Sequence, residues 1–129
     1  MTEPRWINRR ALELLHDESL AEHGGAAGLR DENLLESALA RPLNLHAYDG
    51  VTDLARLGAS YPFGIARNHP FVDGNKRAAL LALGLFLALN GRKLSAGQVE
   101  TYETMMRLAA GELDEARLAD WIRAQSQPR

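Results

Sequence analysis

GNKRAALLALGLFLALNG, residues 74–91, decides the fold. From Ala78 to Leu89, twelve consecutive residues are apolar or glycine. That is too short for a bilayer span, which takes roughly 18–20 residues. It is long enough for about three helical turns. Gly74 turns the chain into the helix and the pair Asn90-Gly91 ends it, since both types accept the left-handed conformation of a C-cap. The segment is apolar on all faces, so it should be surrounded by other helices.

Working outward, the neighbouring segments also carry helical spacing. RWINRRALELLHDESLAEHGG (5–25) places Ile7, Ala11, Leu14 and Leu15 on a stripe and ends at Gly24-Gly25. DENLLESALARP (31–42) has Asp31 as cap, Leu34, Leu35 and Leu39 facing inward, and Pro42 as its stop. LNLHAYDGVT (43–52) lacks a helical period and holds a D-G turn signal, which predicts a loop or short hairpin. TDLARLGASYPFGIARNHP (52–70) reads as a helix kinked or broken at Pro62, whose ring crowds the Gly58 carbonyl. SAGQVETYETMMRLAAG (95–111) opens with Ser95 and Gln98 at capping-box spacing. In LDEARLADWIRAQ (113–125), Asp114 caps, Leu113 and Leu118 staple, and Leu118, Trp121 and Ile122 face the core. No segment sustains period-two alternation. The expected architecture is all-α: one domain over residues 1–129, a compact bundle around a buried central helix.

Composition narrows the function classes. A net charge of -2 gives no bulk attraction to nucleic acid or to an anionic membrane, so no direct nucleic-acid partner is expected. The absence of cysteine excludes disulfides, thiolate metal sites and a Cys nucleophile, and suits a reducing cytoplasm. The N-terminus, MTEPRWINRRALELL, carries early charges and no apolar run of signal-peptide type.

The chemistry stands at the lip of the apolar helix, in HPFVDGNKR, residues 69–77. The N–H groups around Gly74 to Arg77 lack intrahelical partners and form an anion site. Lys76 and Arg77 add cations where a helix normally disfavours them, which makes sense beside a polyphosphate. Asp73 offers the hard oxygen that Mg²⁺ takes when it bridges phosphates. His69 supplies an imidazole, able to accept a proton from an attacking hydroxyl. Each residue alone has an ordinary structural reading: a His before Pro, a D-G turn, a solvated helix start. Together they describe phosphoryl or nucleotidyl transfer. The run is not a Walker A loop, because FVDGNKRA lacks the first Gly and has Arg where Ser or Thr would hold Mg²⁺.

HPFVDGNKR resembles the signature of the Fic/Doc family, close to H-P-F-x-D/E-G-N-G/K-R, at every fixed position. GLRDENLLESALARP, TDLARLGASYPFGIARNHPF and NGRKL resemble the family's flanking segments, and the compact length is similar to its Doc (death-on-curing) branch. The resemblance implies the Fic/Doc fold and a set of roles. His69 is then the base, Phe71 the buried anchor of the loop, and Asp73 the Mg²⁺ ligand. Gly74 and Asn75 shape the phosphate cradle, and Arg77 clamps the phosphate. Lys76 stands where adenylyl-transferring members have Gly and Doc-type members have Lys. The resemblance therefore implies a toxin of a toxin–antitoxin pair. It would use ATP and Mg²⁺ to move the γ-phosphate onto a Thr or Ser hydroxyl, with elongation factor Tu as the target class. Gly74 and Pro70 instead follow the Fic pattern, so adenylyl transfer stays open. So does an inactive antitoxin-binding module, although the intact His69, Asp73 and Arg77 argue against it.

The family's inhibitory pattern, S/T-x-x-x-E-G/N, is absent: Glu22 falls one residue too early and Glu100 one too late. That implies inhibition by a separate antitoxin. The 43–52 loop is the candidate flap. Arg67 is expected either in a salt bridge or turned toward the site. His16, His23 and His46 are expected in surface or capping roles, and Met105-Met106 in the core.

Overall fold

The computed structural model describes residues 3–129. Its elements run α1 (Arg9–His23), α2 (Glu32–Asp49), α3 (Leu54–Asn68), α4 (Asn75–Leu89), β1 (Arg92–Leu94), α5 (Gln98–Ala109), α6 (Glu115–Gln125) and β2 (Ser126–Pro128). The all-α architecture is as expected, with one hydrophobic core drawn from every helix. The helix enclosed most fully is α3, packed against α2, α4, α5 and α6. It can lie there because it is built from small residues. A Cβ on Gly64 would come within 3.2 Å of both Cα and Cβ of Ala38, so α2 and α3 approach too closely for a side chain at Gly64. Pro62 does not break α3. The helix runs through it, and the crowded position, Gly58, sits against Leu83 and Phe86.

α4 starts and stops where the glycines predict, with Gly74 at φ 72° and Gly91 at φ 74°. Ala78, Ala79, Ala82, Leu83, Phe86 and Leu87 are buried. The opposite face is open: Leu80, Leu81 and Leu85 are half-buried and Gly84 is exposed. This helix is therefore surrounded on one side only, because α1 and α5 flank a groove instead of closing over it.

Several local expectations are corrected. α2 continues through Pro42 to Asp49 and ends at Gly50 in the left-handed region. Residues 43–49 are helix, with no hairpin. The cost of Pro42, a missing N–H and a crowded Ala38 carbonyl, is offset by packing beyond it. Leu45 lies against the core, and His46 meets Trp6 edge-on at 5.5 Å and donates from Nδ1 to the Val51 carbonyl at 2.9 Å. In α1 the buried positions are Leu12 and His16, while Leu14 is half exposed, so the stripe is rotated from its expected place. α5 begins at Gly97 without a side-chain cap. Ser95 instead bonds the Gln125 carbonyl through Oγ at 2.8 Å. It directly follows a small antiparallel ribbon, β1 with β2, that the sequence did not reveal. Met105 is buried, but Met106 is 44% exposed and faces the groove.

The helix ends are fixed by polar contacts that matter for stability. Asn90 pairs with the Arg5 peptide (Arg5 N–H to Oδ1 2.8 Å, Nδ2 to Arg5 O 3.0 Å), tying the N-terminal segment to the end of α4. Tyr61 is buried beside Phe86 and accepts the Ile7 N–H at 3.1 Å. Burial pushes its phenol up to about 12. Asp114 caps α6 through the Arg117 N–H at 2.8 Å, as its position predicts. Asp53 caps α3 through the Ala55 N–H at 3.1 Å and pairs with Arg123 of α6. Partial burial alone would raise the Asp53 carboxyl, but Arg123 and the Ala55 N–H outweigh it and hold it below its ordinary 3.8. A depressed carboxyl adds stability above its unfolded value and loses it as pH falls through the folded one. Asp53→Asn keeps the cap and removes the charge. Urea unfolding should show the variant less stable at pH 7, with the difference from wild type closing as pH drops below 3.8. A difference that stays constant with pH would contradict the pairing.

Candidate active site

HPFVDGNKR forms the passage from α3 into α4. His69 ends α3 as its C-cap and takes φ 50°, ψ 57°. Among the described residues it is the one non-glycine with positive φ. Its side chain is exposed. Phe71 is buried at 2% exposure, the anchor the motif implies. Gly74 makes the turn at φ 72°, ψ 26°, a conformation that carries little penalty only in glycine. The peptide N–H groups of Asn75, Lys76 and Arg77 then open the helix with no carbonyl behind them.

The Asn75 side chain does not reach outward. Its amide pairs with both sides of Phe71, Oδ1 accepting the Phe71 N–H and Nδ2 donating to the Phe71 carbonyl, each at 3.0 Å. Asn75 thus closes the loop onto the helix and has its backbone N–H left for an anion. The Asp73 carboxylate is exposed. Oδ1 accepts the Gly74 N–H at 2.8 Å and Oδ2 the Ala26 N–H at 3.3 Å. Lys76 is exposed beside it. Arg77 lays its guanidinium 5.2 Å from the Tyr102 ring centre. No cluster of three or more His, Cys, Asp or Glu exists among the described residues. A metal here would take Asp73 plus phosphate and water oxygens, which is how Mg²⁺ binds beside a nucleotide. The residues present fit that arrangement.

Two groups that sequence reasoning missed hold the loop. His16, expected at the surface, is 1% exposed. Its ring stacks on Phe71 at 3.9 Å, and Nε2–H donates to the Asp73 carbonyl at 2.9 Å. It also lies under Gly74, where a Cβ would meet Nε2 at 3.1 Å. The signal was present as the spacing Leu12, His16, Leu20, a stripe in which a polar ring occupies a core position. The second group is the segment Gly25–Arg30, which runs beside the motif. The Val72 N–H bonds the Gly28 carbonyl at 3.0 Å, the Arg30 N–H bonds the Pro70 carbonyl at 2.7 Å, and Leu29 bridges Phe71. The wall along the motif loop is therefore residues 25–30, not 43–52.

Arg67 forms no salt bridge among the described residues and lies 5.8 Å from the Phe63 ring centre, sharing that ring with Arg41. Arg77 opens onto the groove along α4, about 1010 Å³, whose walls include Leu80, Leu81, Leu85, Val99, Tyr102 and Met106.

His16 links α1 to the motif loop by packing and by a hydrogen bond, which sets an order of effects. His16→Ala removes both and leaves the Asp73 carbonyl unpaired, so it should lose about 2–4 kcal/mol. His16→Gln keeps a donor and should lose less, about 1–2 kcal/mol. Urea unfolding of the two variants checks this, and equal stability of His16→Ala and wild type would contradict the contact.

The Fic/DOC family model matches residues 6–87, from the segment before α1 to near the end of α4. The protein kinase doc of Escherichia phage P1 is 34% identical over 119 residues, covering 92% of this chain and 94% of that protein. The toxin Doc of Mycolicibacterium smegmatis is 39% identical over 89 residues, covering 67% of this chain and 68% of that protein. A family match over more than half the chain, a near full-length relative and the HPFVDGNKR loop at the start of α4 lead to one conclusion: this chain belongs to the Fic/Doc family.

Proposed function

We propose that the protein is a Doc-type toxin that phosphorylates a Thr or Ser hydroxyl of a translation factor, with elongation factor Tu as the target class. The observation that carries this reading is Lys76: an exposed cation in the first turn of α4, beside three open N–H groups, in a chain whose relative is named a protein kinase. The chain's residues divide the work. The N–H groups of Asn75, Lys76 and Arg77 hold phosphate oxygens, with the helix dipole behind them. Lys76 and Arg77 balance the charge that spreads over the moving phosphoryl group. Asp73 would hold Mg²⁺, which would supply positive charge to offset part of the charge on the phosphates. His69 accepts the proton of the target hydroxyl as its oxygen bonds to the γ-phosphorus; the bond to the β–γ bridging oxygen breaks, and ADP leaves.

Gly74 and Pro70 favour a second reading, adenylyl transfer, because both follow the Fic pattern. There the hydroxyl attacks the α-phosphorus and pyrophosphate leaves. ATP labelled at α or at γ separates the two when the chain is incubated with elongation factor Tu. Label from γ alone is expected, and label from α would establish adenylyl transfer instead. His69→Ala should abolish transfer; surviving activity would remove His69 as the base.

The partner proposed for regulation is an antitoxin acting in trans. The groove along α4 supports this: it is mainly apolar with Glu22 and Glu103 in its lining, it exposes Val99 at 73% and Met106 at 44%, and Arg77 also lines it. An amphipathic segment laid there would cover both the apolar face and the phosphate clamp. The purified chain should be active by itself. If it is inert and Glu22→Gly or Glu100→Gly switches it on, the inhibitor is internal.

A further inference from the structure

We propose that Arg30 is the positioning residue for His69, fixing the direction of the imidazole through the backbone. The inference rests on the reading of His69 as the base. Arg30 sits just before the N-cap of α2, far from the motif in sequence. Its guanidinium nevertheless spans two consecutive carbonyls at the end of α3, Nε donating to the His69 carbonyl and a terminal nitrogen to the Asn68 carbonyl, both at 2.7 Å.

Those two carbonyls belong to the two peptide planes that flank the His69 Cα. The plane carrying the Asn68 carbonyl sets φ of His69, and the plane carrying the His69 carbonyl sets ψ. Holding both determines where the Cα–Cβ bond points. His69 needs such a hold, because its left-handed conformation is disfavoured for a side-chain-bearing residue and persists only where the surroundings impose it. Other contacts brace the same corner. The His69 N–H bonds the Ile65 carbonyl at 3.0 Å, and Asn68 Nδ2 donates to the Leu34 carbonyl at 3.0 Å. The N–H groups of Arg30 and Asp31 both reach the Pro70 carbonyl, at 2.7 and 3.1 Å. Among the described residues Arg30 has no carboxylate partner, so its charge serves the helix C-terminus, where a cation is favoured. The guanidinium is a planar fork whose donors stand at fixed spacing and direction; a lysine ammonium has donors too but no fixed geometry that would hold both planes.

The phosphate cradle is held separately, by Asn75 and His16. Loss of Arg30 should therefore misdirect the base and leave nucleotide binding in place. NMR of the free protein tests the geometry directly, through the HN–Hα coupling and the Cα shift of His69. In Arg30→Ala both should leave their left-handed values; if both stay, the proposal is overturned.

Kinetics test the consequence, using label transfer from γ-labelled ATP to elongation factor Tu. For Arg30→Ala, kcat should fall about 10- to 100-fold with KM for ATP little changed, and Arg30→Lys should recover only part. A rise in KM with kcat unchanged overturns the proposal. If the wild-type chain transfers no label, or His69→Ala transfers as well as wild type, the functional reading fails, and the NMR result still decides what Arg30 does.

Discussion

The paired hydrogen bonds between the Asn75 amide and the Phe71 peptide are the constraint on which the site depends. They join the last buried residue of the loop to the first residue of α4. Phe71 is fixed by the core and by the His16 ring, and α4 is fixed by its buried face. With both ends held, the chain between them has one path. It presents the Asp73 carboxylate and leads through the Gly74 turn to three unpaired N–H groups. An amide shielded from water that failed to pair would cost stability; here both of its groups are satisfied by the backbone of one residue, Phe71. Asn90 repeats the device at the far end of α4 on the Arg5 peptide. The apolar helix between these two asparagines is thus aimed at both ends by side-chain amides.

This explains why charged chemistry stands on the lip of the most apolar segment. A helix buried along one face does not rotate, so its N-terminal N–H groups keep one direction and need no rearrangement when an anion arrives. The same helix leaves its other face open along the groove. Arg77 belongs to both regions: it stands in the first turn above the loop and rests on Tyr102 in the groove wall. A ligand of the groove and an anion at the first turn of α4 would therefore meet at one side chain.

Much of this was legible in the sequence because strong local signals coincided with the tertiary outcome. The bounds of α4 followed from Gly74 and Asn90-Gly91, the cap of α6 from Asp114, and the burial of Phe71 from its motif. What escaped notice is long-range. α2 passes Pro42 because Leu45 and His46 find partners beyond it, which no local rule contains. Ser95 looked like a capping residue and serves β1–β2 pairing instead, since Gln125 arrives from the chain end. His16 and Arg30 hold the motif from 57 and 39 residues away. The stripe of Leu12, His16 and Leu20 marks His16 as inward-facing, but nothing local to either residue names its partner, so only the fold brings them to the loop.

The central claim is that the first turn of α4 is a preset anion cradle. It is tested most directly by following backbone amide shifts while inorganic triphosphate with Mg²⁺ is added to the free protein. The account predicts that the amides of Asn75, Lys76 and Arg77 move first and most, and that Asn75→Ala, which opens the loop, weakens the response while α4 stays folded. Unmoved amides at these three positions, with triphosphate bound elsewhere or not at all, would contradict it.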